Sequence, residues 1–530
     1  MPIPQVKQLK ILNGMLRLCR AEAVLDAALS GAREGVLAML ALGEQSPAKD
    51  GIKAEFRLNS ALPAEQYSIR ADEHGVLVEA GDIAGAVYAA CTLSQLCAEH
   101  GGNLPYCTIE DAPEHPWRGL LIDVCRHFFP IDTVKTLVDL MAFYKYNRLH
   151  LHLTEDQGFR FESERFPRLN SVGSYRKSTV VKQEGFKGQD GIPHGGYYTK
   201  AELRELVRYC KARGIEIVPE IDMPGHALSM IAAYPELACV NEPVEVATYF
   251  GVTDFSKKLF CAGSERTFEF LFALLDEVLE LFPFSHVHIG GDEAVKSEWK
   301  RCERCQKVMS EQGLKDEREL QGYFLNRVID FLDSRGRKAI VWNDGLCDTL
   351  SPDAISQYWT PWFLEGTGRT TRRVNAGGRA ILSPYLYTYY DYPYAMTPLK
   401  KTYRYRPDLR GVRRTNKQNI LGLEAAIWTE WIDSEEKLFF NTLPRLAATA
   451  ESGWSAKEHM RFGAFLRRLQ PHYGLYDRLG LTYAKGVEQP LSFVRRIQGV
   501  LTFAKVDTHA ELNAQKKQDN RQPIGGNKHE

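Results

Sequence analysis

The 530-residue sequence lacks several features that would assign it to a particular class of protein. It has no apolar run of the roughly 18 residues that a membrane-spanning helix requires, so no membrane span is expected. Its 67 basic and 67 acidic residues cancel, so no net charge favours nucleic acid or an anionic membrane as a partner. Residues 1–8 contain no apolar segment of the kind found in signal peptides, which predicts a cytoplasmic protein unless a leader was removed.

The sequence also lacks a regular cysteine pattern. Its 11 cysteines are odd in number and irregularly spaced, which argues against a disulfide scaffold. Cys302-x-x-Cys305 could indicate metal or redox chemistry, but no second such pair and no paired histidines follow at zinc-site spacing. We therefore interpret Cys302-x-x-Cys305 as the start of a helix. Cys239 and Cys261 bracket a loop and are expected to pair only in an oxidising compartment.

Strand-like and helix-like segments alternate after residue 116. Thr199-x-x-Glu202 is a capping box that opens one helix, and apolar residues recur at helical spacing over 317–334 and 438–452. The alternation predicts an α/β fold, a closed (β/α)8 TIM-type barrel. An open doubly wound sheet is the alternative, weakened because no Gly-x-Gly-x-x-Gly turn follows an early strand. The predicted strands cover 118–124, 147–153, 215–221, 286–289, 338–342, 354–359, 380–385 and 420–428.

The regions on either side of the barrel have a different pattern. Residues 1–110 contain short strand-like runs and a helical stretch over 83–98, which predicts a small N-terminal α/β domain. A proline-marked linker follows, and the catalytic barrel is expected over 111–455. A helical extension is predicted over 456–510. Residues 511–530 are polar with few apolar side chains, which predicts a disordered tail.

One stretch near the middle of the chain combines a strand with two acids. Residues 286–289 alternate as a strand does, Gly290 and Gly291 interrupt them, and Asp292 and Glu293 follow at once. Acids just past a strand end lie where barrel enzymes keep their chemistry. An ordinary retaining glycosidase needs two carboxyl groups on opposite sides of the scissile bond. Neighbours in sequence can instead act from one side, one donating a proton and the other orienting a group.

Residues 286–293 resemble the His-x-Gly-Gly-Asp-Glu signature of the β-N-acetylhexosaminidases of glycoside hydrolase family 20. Residues 117–129 resemble the first barrel strand of that family, and the resemblance extends over residues 60–455. It implies an exo-acting β-N-acetylhexosaminidase that hydrolyses terminal β-linked GlcNAc or GalNAc from oligosaccharides or glycoconjugates. It implies neither a metal nor an organic cofactor, and it leaves the oligomeric state open.

The resemblance also implies roles for individual residues. Glu293 would protonate the glycosidic oxygen and later activate water, while Asp292 would orient the acetamido group whose oxygen attacks the anomeric carbon. His226 would support Glu293 together with Glu155 or Asp156, and His288 is a further supporting residue. Arg126 and His127 are equally compatible with a structural role. The predicted sugar-binding residues are Arg118, Trp342, Trp359, Tyr389, Asp391, Trp428 and Glu430.

Three tryptophans among these residues end predicted strands. Pyranose rings have apolar faces that pack on aromatic side chains, so Trp342, Trp359 and Trp428 are expected to form a cage around the sugar. Two other functions compete with the glycosidase. A metal-dependent amidohydrolase would use His150, His152, His226 and an acid. An inactive carbohydrate-binding relative is the other alternative, and the complete set of predicted catalytic and sugar-binding residues argues against it.

Overall fold

A computed structural model describes residues 1–17, 22–42, 53–180, 188–248, 259–361, 366–487 and residue 497. The N-terminal region forms a six-stranded mixed sheet with strand order β1-β6-β4-β5-β3-β2. Helices α1 and α2 pack together and α2 contacts the sheet. The strands are β1 (Gln8–Arg17), β2 (Glu22–Leu25), β3 (Lys53–Leu58), β4 (Tyr67–Asp72), β5 (Gly75–Ala80) and β6 (Asn103–Asp111).

Eight parallel strands follow and close into a barrel in sequence order. The last strand completes the ring by pairing with the first, with Gly422 opposite Trp117 and Ile427 opposite Ile122. The predicted barrel is therefore confirmed, and the open-sheet alternative is wrong. The strands are β7 (Trp117–Asp123), β8 (Arg148–His152), β9 (Glu216–Glu220), β10 (His286–His288), β11 (Lys338–Trp342), β12 (Ile355–Tyr358), β13 (Ala380–Leu382) and β14 (Ile420–Ile427).

Helices separate most of the strands. The predicted capping box is present, since the Thr199 side chain accepts from Glu202 N–H and Glu202 reaches back to Thr199. The helices are α1 (Arg33–Leu42), α2 (Ile83–Glu99), α3 (Ile131–Phe143), α4 (Lys200–Ala212), α5 (Leu228–Ala233), α6 (Glu265–Leu281), α7 (Glu303–Gln312), α8 (Glu317–Ser334), α9 (Gly366–Asn375), α10 (Tyr385–Thr388), α11 (Leu399–Arg404), α12 (Glu435–Thr442), α13 (Arg445–Trp454) and α14 (Phe462–Arg478).

Two element predictions are corrected, both at prolines. The helix predicted over 438–452 is two helices, α12 and α13, which meet at Pro444, because proline has no N–H for a helical hydrogen bond. The strand predicted over 380–385 ends at Leu382, and Pro384 precedes α10. The predicted tail, 511–530, lies outside the described residues. Among the helices that are described, none is long and apolar enough to cross a bilayer.

A buried polar cluster joins the N-terminal sheet to the barrel. Asp111, the last residue of β6, accepts hydrogen bonds from Lys145 Nζ at 2.9 Å, Tyr67 Oη at 2.6 Å and Trp454 Nε1 at 3.0 Å. The side chains of Asp111 and Lys145 are both fully buried. Because a buried charge is costly unless it is paired, this cluster fixes the sheet against the N-terminal end of the barrel.

Candidate active site

The barrel interior is polar beneath its C-terminal mouth. Glu220, the last residue of β9, lies 2.5 Å from His152 Nδ1, 2.9 Å from His288 Nδ1 and 2.8 Å from Trp342 Nε1. His150 lies between Glu220 and Glu424. Burial opposes ionisation, but the surrounding histidines outweigh it and hold the pKa of Glu220 well below its usual range. His150, His152 and His288 therefore interact with buried carboxylates and form the floor of the mouth.

The Gly-Gly-Asp-Glu segment makes a tight turn directly after β10. Glu293 has a φ of 45°, unusual for a residue with a side chain. Its N–H donates to Asp344 Oδ2 at 2.9 Å, which stabilises this conformation. Gly290 has a φ of 63°, and a Cβ atom there would lie 1.6 Å from Asp222 Oδ1. Glycine is thus required at 290 because β9 and β10 end in close contact.

A relay of close contacts connects the buried Glu155, through His226, to the acid pair, of which Glu293 is the more exposed member. His226 Nδ1 lies 2.8 Å from Glu155 Oε1. Its Nε2 is 3.6 Å from Asp292 Oδ2 and 3.5 Å from Glu293 Oε2. Burial opposes protonation of His226, but Glu155 and Asp292 outweigh it and raise its pKa well above the usual range. The Nε2–H of the imidazolium therefore points between both acids, and Glu155 makes a hydrogen bond to the other ring nitrogen.

Asp156 also lies close to His226, with a carboxylate oxygen within 4.8 Å of a ring nitrogen of that histidine. Its Oδ1 accepts from the N–H of Leu228 at 3.0 Å, so the carboxylate stabilises the start of α5. This helix follows the loop that carries His226. Asp156 therefore lies beside the relay and also fixes the position of the loop that carries His226.

Asp222 and Asp292 form a second acidic pair behind the turn. Asp222 Oδ1 accepts from Gly291 N–H at 3.2 Å. Burial raises the pKa of both carboxyl groups well above the usual range, and each carboxylate lies close enough to interact with the other. Asp222 Oδ2 and Asp292 Oδ1 are buried and receive no hydrogen bond from the part of the protein that is described. Two adjacent acceptors without a donor are satisfied when the pair holds a proton.

Asp344 is a functional candidate that sequence analysis missed. Besides the Glu293 N–H, it accepts from Trp359 Nε1 at 3.0 Å, so one carboxylate connects the acid turn to the aromatic wall. Burial raises its pKa. Its position in the sequence could have indicated a role in the site, because Asp344 follows the end of β11 just as Asp292 follows the end of β10.

The prediction that Arg118 binds the sugar is wrong. Arg118 is the second residue of β7, about 16 Å below the strand's C-terminal end at a rise of about 3.3 Å per residue. Its Nη2 lies 2.8 Å from Glu65 in the N-terminal domain, and its Nε donates to Lys145 O at 2.8 Å. A buried guanidinium needs such partners, but here they are at the opposite end of the barrel from the mouth.

Arg126 occupies the position that was predicted for Arg118. It lies beyond the C-terminal end of β7, with Nη2 at 2.8 Å from Glu155, Nη1 at 3.3 Å from Asp123 and Nε at 4.0 Å from Glu430. Its guanidinium carbon is 5.0 Å from the Trp428 ring centre. A small pocket is lined by Arg126 and Glu430 together. Arg126 therefore lies in the mouth, beside Trp428 and Glu430.

His127, the other residue left open, packs against neighbouring aromatic side chains. Its ring stacks on His194 at 4.4 Å and packs against Phe129 at 4.8 Å. The backbone N–H of His127 donates to Thr429 Oγ1 at 2.9 Å. These contacts give His127 a packing role beside the mouth.

The aromatic residues come together as one wall. Trp428 is 6.0 Å from Trp342 and 5.9 Å from Tyr389 between ring centres, and Trp359 stacks on Tyr389 at 6.4 Å. Trp342 is fully buried at the base, whereas Trp359 and Trp428 are partly exposed. The wall is therefore continuous, with Trp342 forming its lower part.

The structure also distinguishes the adjacent tyrosines. Tyr389 is buried in the aromatic wall, and burial and the carboxylates of Asp391 and Asp292 raise its pKa well above its usual range. Tyr390 instead donates to Thr449 Oγ1 at 2.7 Å, outside the barrel. Tyr389, the residue chosen from the Tyr-x-Asp spacing, is therefore the one of the two that belongs to the aromatic wall.

Comparison with known proteins agrees with this geometry. The family model "Glycosyl hydrolase family 20, catalytic domain" matches residues 115–457, and "Glycosyl hydrolase family 20, domain 2" matches residues 3–112. A β-hexosaminidase of Akkermansia muciniphila is 35% identical over 425 residues, 78% of this chain and 83% of that protein. One of Porphyromonas gingivalis is 35% identical over 449 residues, 80% of this chain but only 56% of the relative's length.

Solved structures give the same result. The exo β-N-acetylglucosaminidase of Vibrio harveyi, in complex with N-acetylglucosamine, has a TM-score of 0.80 and 28% identity, covering 91% of this chain and 78% of that one. The prediction of a glycoside hydrolase is confirmed, and the metal-dependent amidohydrolase alternative is not supported. With a catalytic-domain match over most of its barrel and relatives at 35% identity, the chain belongs to glycosyl hydrolase family 20.

Proposed function

We propose that the protein is an exo-acting β-N-acetylhexosaminidase that removes terminal β-linked GlcNAc or GalNAc by substrate-assisted retention. One observation carries the proposal: Asp292 and Glu293 both approach the same nitrogen of His226, within 3.6 Å. The two acids therefore share one side of the mouth. A mechanism with two opposed carboxylates does not fit this arrangement, whereas a nucleophile supplied by the substrate does.

In the proposed first step, Glu293 donates a proton to the glycosidic oxygen as the bond to the aglycone breaks. The 2-acetamido oxygen of the substrate forms a bond to the anomeric carbon, which gives a cyclic oxazolinium. In the second step Glu293 takes a proton from water, and the water oxygen opens the ring with net retention. The imidazolium of His226 orients Glu293 throughout, and Asp344 holds its backbone.

Asp292 stabilises the charge that develops on the acetamide nitrogen. For that task it must be ionised, although burial and Asp222 raise its pKa. Asp222 allows Asp292 to ionise, because the proton held by the pair can reside on Asp222 when Asp292 faces a positive charge. A preorganised carboxylate of this kind acts mainly in the transition state, where the charge exists.

The remaining mouth residues define the proposed sugar site. In this proposal Arg126, Asp391 and Glu430 bind hydroxyl groups of the sugar, which the proximity of Arg126 and Glu430 supports, and Tyr389 binds the acetamide carbonyl. Trp359 and Trp428 offer apolar faces to the N-acetyl group and the pyranose ring. An inactive carbohydrate-binding protein would not need the relay from Glu155 to Glu293.

The test is hydrolysis of chromogenic β-GlcNAc, β-GalNAc and β-Glc glycosides side by side by the wild-type protein and Glu293→Gln. We expect release from the two N-acetyl sugars and almost none from the glucoside. Glu293→Gln should lower kcat by about 10²- to 10⁴-fold on poor leaving groups and less on activated ones. Equal rates on β-Glc and β-GlcNAc, or a fully active variant, would contradict the proposal.

A further inference from the structure

Four cysteines from three separate segments meet beside the barrel. Cys239 follows α5, Cys261 precedes α6, Cys302 lies just before α7, and Cys305 is in its first turn. Their sulfur atoms all lie within 4.8 Å of one another. Three of the six sulfur–sulfur distances are 3.6 Å for Cys239 to Cys305, 3.7 Å for Cys261 to Cys305 and 3.8 Å for Cys261 to Cys302.

We propose that Cys239, Cys261, Cys302 and Cys305 bind one structural Zn²⁺ ion. In tetrahedral zinc sites the Zn–S bond is about 2.3 Å, so the sulfur atoms are about 3.8 Å apart. The observed separations have that size, whereas a disulfide requires about 2.05 Å. Each sulfur has more than one sulfur neighbour, so the cluster has no preferred pair. Four protein ligands leave no open position, which is typical of a structural rather than a catalytic zinc.

The surroundings fit a charged centre. Four thiolates around one Zn²⁺ carry a net charge of two negatives, after four thiol protons are released. Arg304, between Cys302 and Cys305 in sequence, donates from Nη2 to the carbonyl oxygens of Ala238 at 3.1 Å and Cys239 at 3.3 Å. A cation therefore lies against the cluster. A Cβ atom at Gly263 would come within 2.2 Å of the Arg304 backbone, so the segment around Cys261 is packed tightly on α7.

The site would connect the two loops that carry the catalytic residues. Phe260, beside Cys261, donates its N–H to Pro224 O at 2.9 Å, two residues before His226. It also accepts from Trp299 Nε1 at 2.9 Å, in the segment that runs from Glu293 to Cys302. A zinc ion fastened at Cys261 and Cys302 therefore holds both segments together. Its role is to position the relay, without contact with the substrate.

The experiment is metal analysis of the full-length protein purified without chelator, with no dependence on the glycosidase assay. We expect one zinc per chain by mass spectrometry of the metal. Cys239→Ser and Cys302→Ser should lose it, and Cys97→Ser, which changes a partly buried cysteine of the N-terminal domain, should retain it. Cobalt-substituted wild-type protein should show the absorption of a tetrahedral tetrathiolate, a readout that does not require the variants to fold.

Two results would overturn the proposal. One is wild-type protein that contains less than a tenth of a zinc per chain and binds none when Zn²⁺ is added. The other is a disulfide between any two of the four cysteines, found by peptide mass spectrometry of protein kept under non-reducing conditions. A zinc stoichiometry unchanged in both Cys239→Ser and Cys302→Ser would place the metal elsewhere and would equally contradict it.

Discussion

At the scale of single residues, the site depends on ionisable side chains whose pKa values are shifted by burial and by neighbouring charges. His226 is kept protonated by Glu155, and the proton of the Asp222–Asp292 pair is kept by burial. Perturbed titration of this kind is typical of catalytic sites. The two φ values near 50°, at His226 and Glu293, show that the backbone also adopts strained conformations at these positions.

Replacing Arg126 and Arg118 by lysine distinguishes an arginine that binds the sugar from one that stabilises the fold. Arg126→Lys should raise KM about 10-fold or more, because lysine cannot reproduce the planar fork of donors. Arg118→Lys should leave KM unchanged and lower the free energy of unfolding by about 3 kcal/mol, the scale for disturbing a buried ion pair. Steady-state kinetics and denaturant titration of both variants measure this. A raised KM in Arg118→Lys alone would restore the role predicted from sequence.

Asp222→Asn tests the proton held by the acidic pair through the pH profile of kcat/KM. The pKa of Asp292 is raised by burial and by Asp222, so Asp292 ionises only at higher pH than an ordinary carboxyl group. Asparagine keeps the acceptor for Gly291 N–H but removes the neighbouring charge, which lowers the pKa of Asp292. The acidic limb should therefore move to lower pH. A limb that stays in place, or moves to higher pH, would contradict the shared proton.

At the scale of elements, strand ends decide which residues meet. Because parallel strands alternate with helices, their C-terminal ends form one mouth, and the sequence predicts this for Asp292, Trp359 and Glu430. The prediction for Arg118 is wrong because Arg118 lies near the start of β7, whereas Arg126 follows the end of β7. The two-residue period of a strand predicts which face of the sheet a side chain occupies, but not how far along the barrel axis the residue lies. Asp344 was missed because its interactions with Glu293 and Trp359 are made across neighbouring strands.

Gly290→Ala tests the close contact between the ends of β9 and β10. A Cβ atom at 290 would lie 1.6 Å from Asp222 Oδ1, so Asp222 must move and Asp292 loses its partner. We expect a fall in kcat of about 10²-fold, the scale for losing a preorganised charge-stabilising group. Gly313→Ala is the matched control, since Gly313 has the same φ of 63° but nothing within 4 Å. Equal kinetics in both variants would show that the contact is unimportant.

At the scale of the whole molecule, the N-terminal domain supports the barrel from the face opposite the mouth. Asp111 and Glu65 from that domain pair with Lys145 and Arg118 at the start of barrel strands. The order of strands, the barrel and the acid turn could be predicted from periodicity and motif. The interdomain ion pairs could not be predicted from the sequence. Their two partners are 34 and 53 positions apart in sequence, and no local pattern connects them.

Asp111→Asn should destabilise the whole protein. It leaves the buried ammonium of Lys145 without its counter-charge, a change that costs about 3 to 5 kcal/mol. Asp408→Asn removes an ion pair with Lys417 that is about half exposed and should cost at most about 1 kcal/mol. Denaturant midpoints of both variants provide the comparison. Equal midpoints would show that the interdomain cluster contributes little.

The central claim is that the substrate supplies the nucleophile, and a series of aryl β-glycosides with N-acetyl, N-fluoroacetyl, N-difluoroacetyl and N-trifluoroacetyl groups tests it most directly. Each fluorine makes the carbonyl oxygen a weaker nucleophile, so kcat/KM should fall steadily along the series. Asp292→Asn should lower kcat more than it weakens ground-state binding, since the charge it stabilises exists mainly in the transition state. A flat series, or a covalent glycosyl ester trapped on Asp292 or Glu293, would contradict the account.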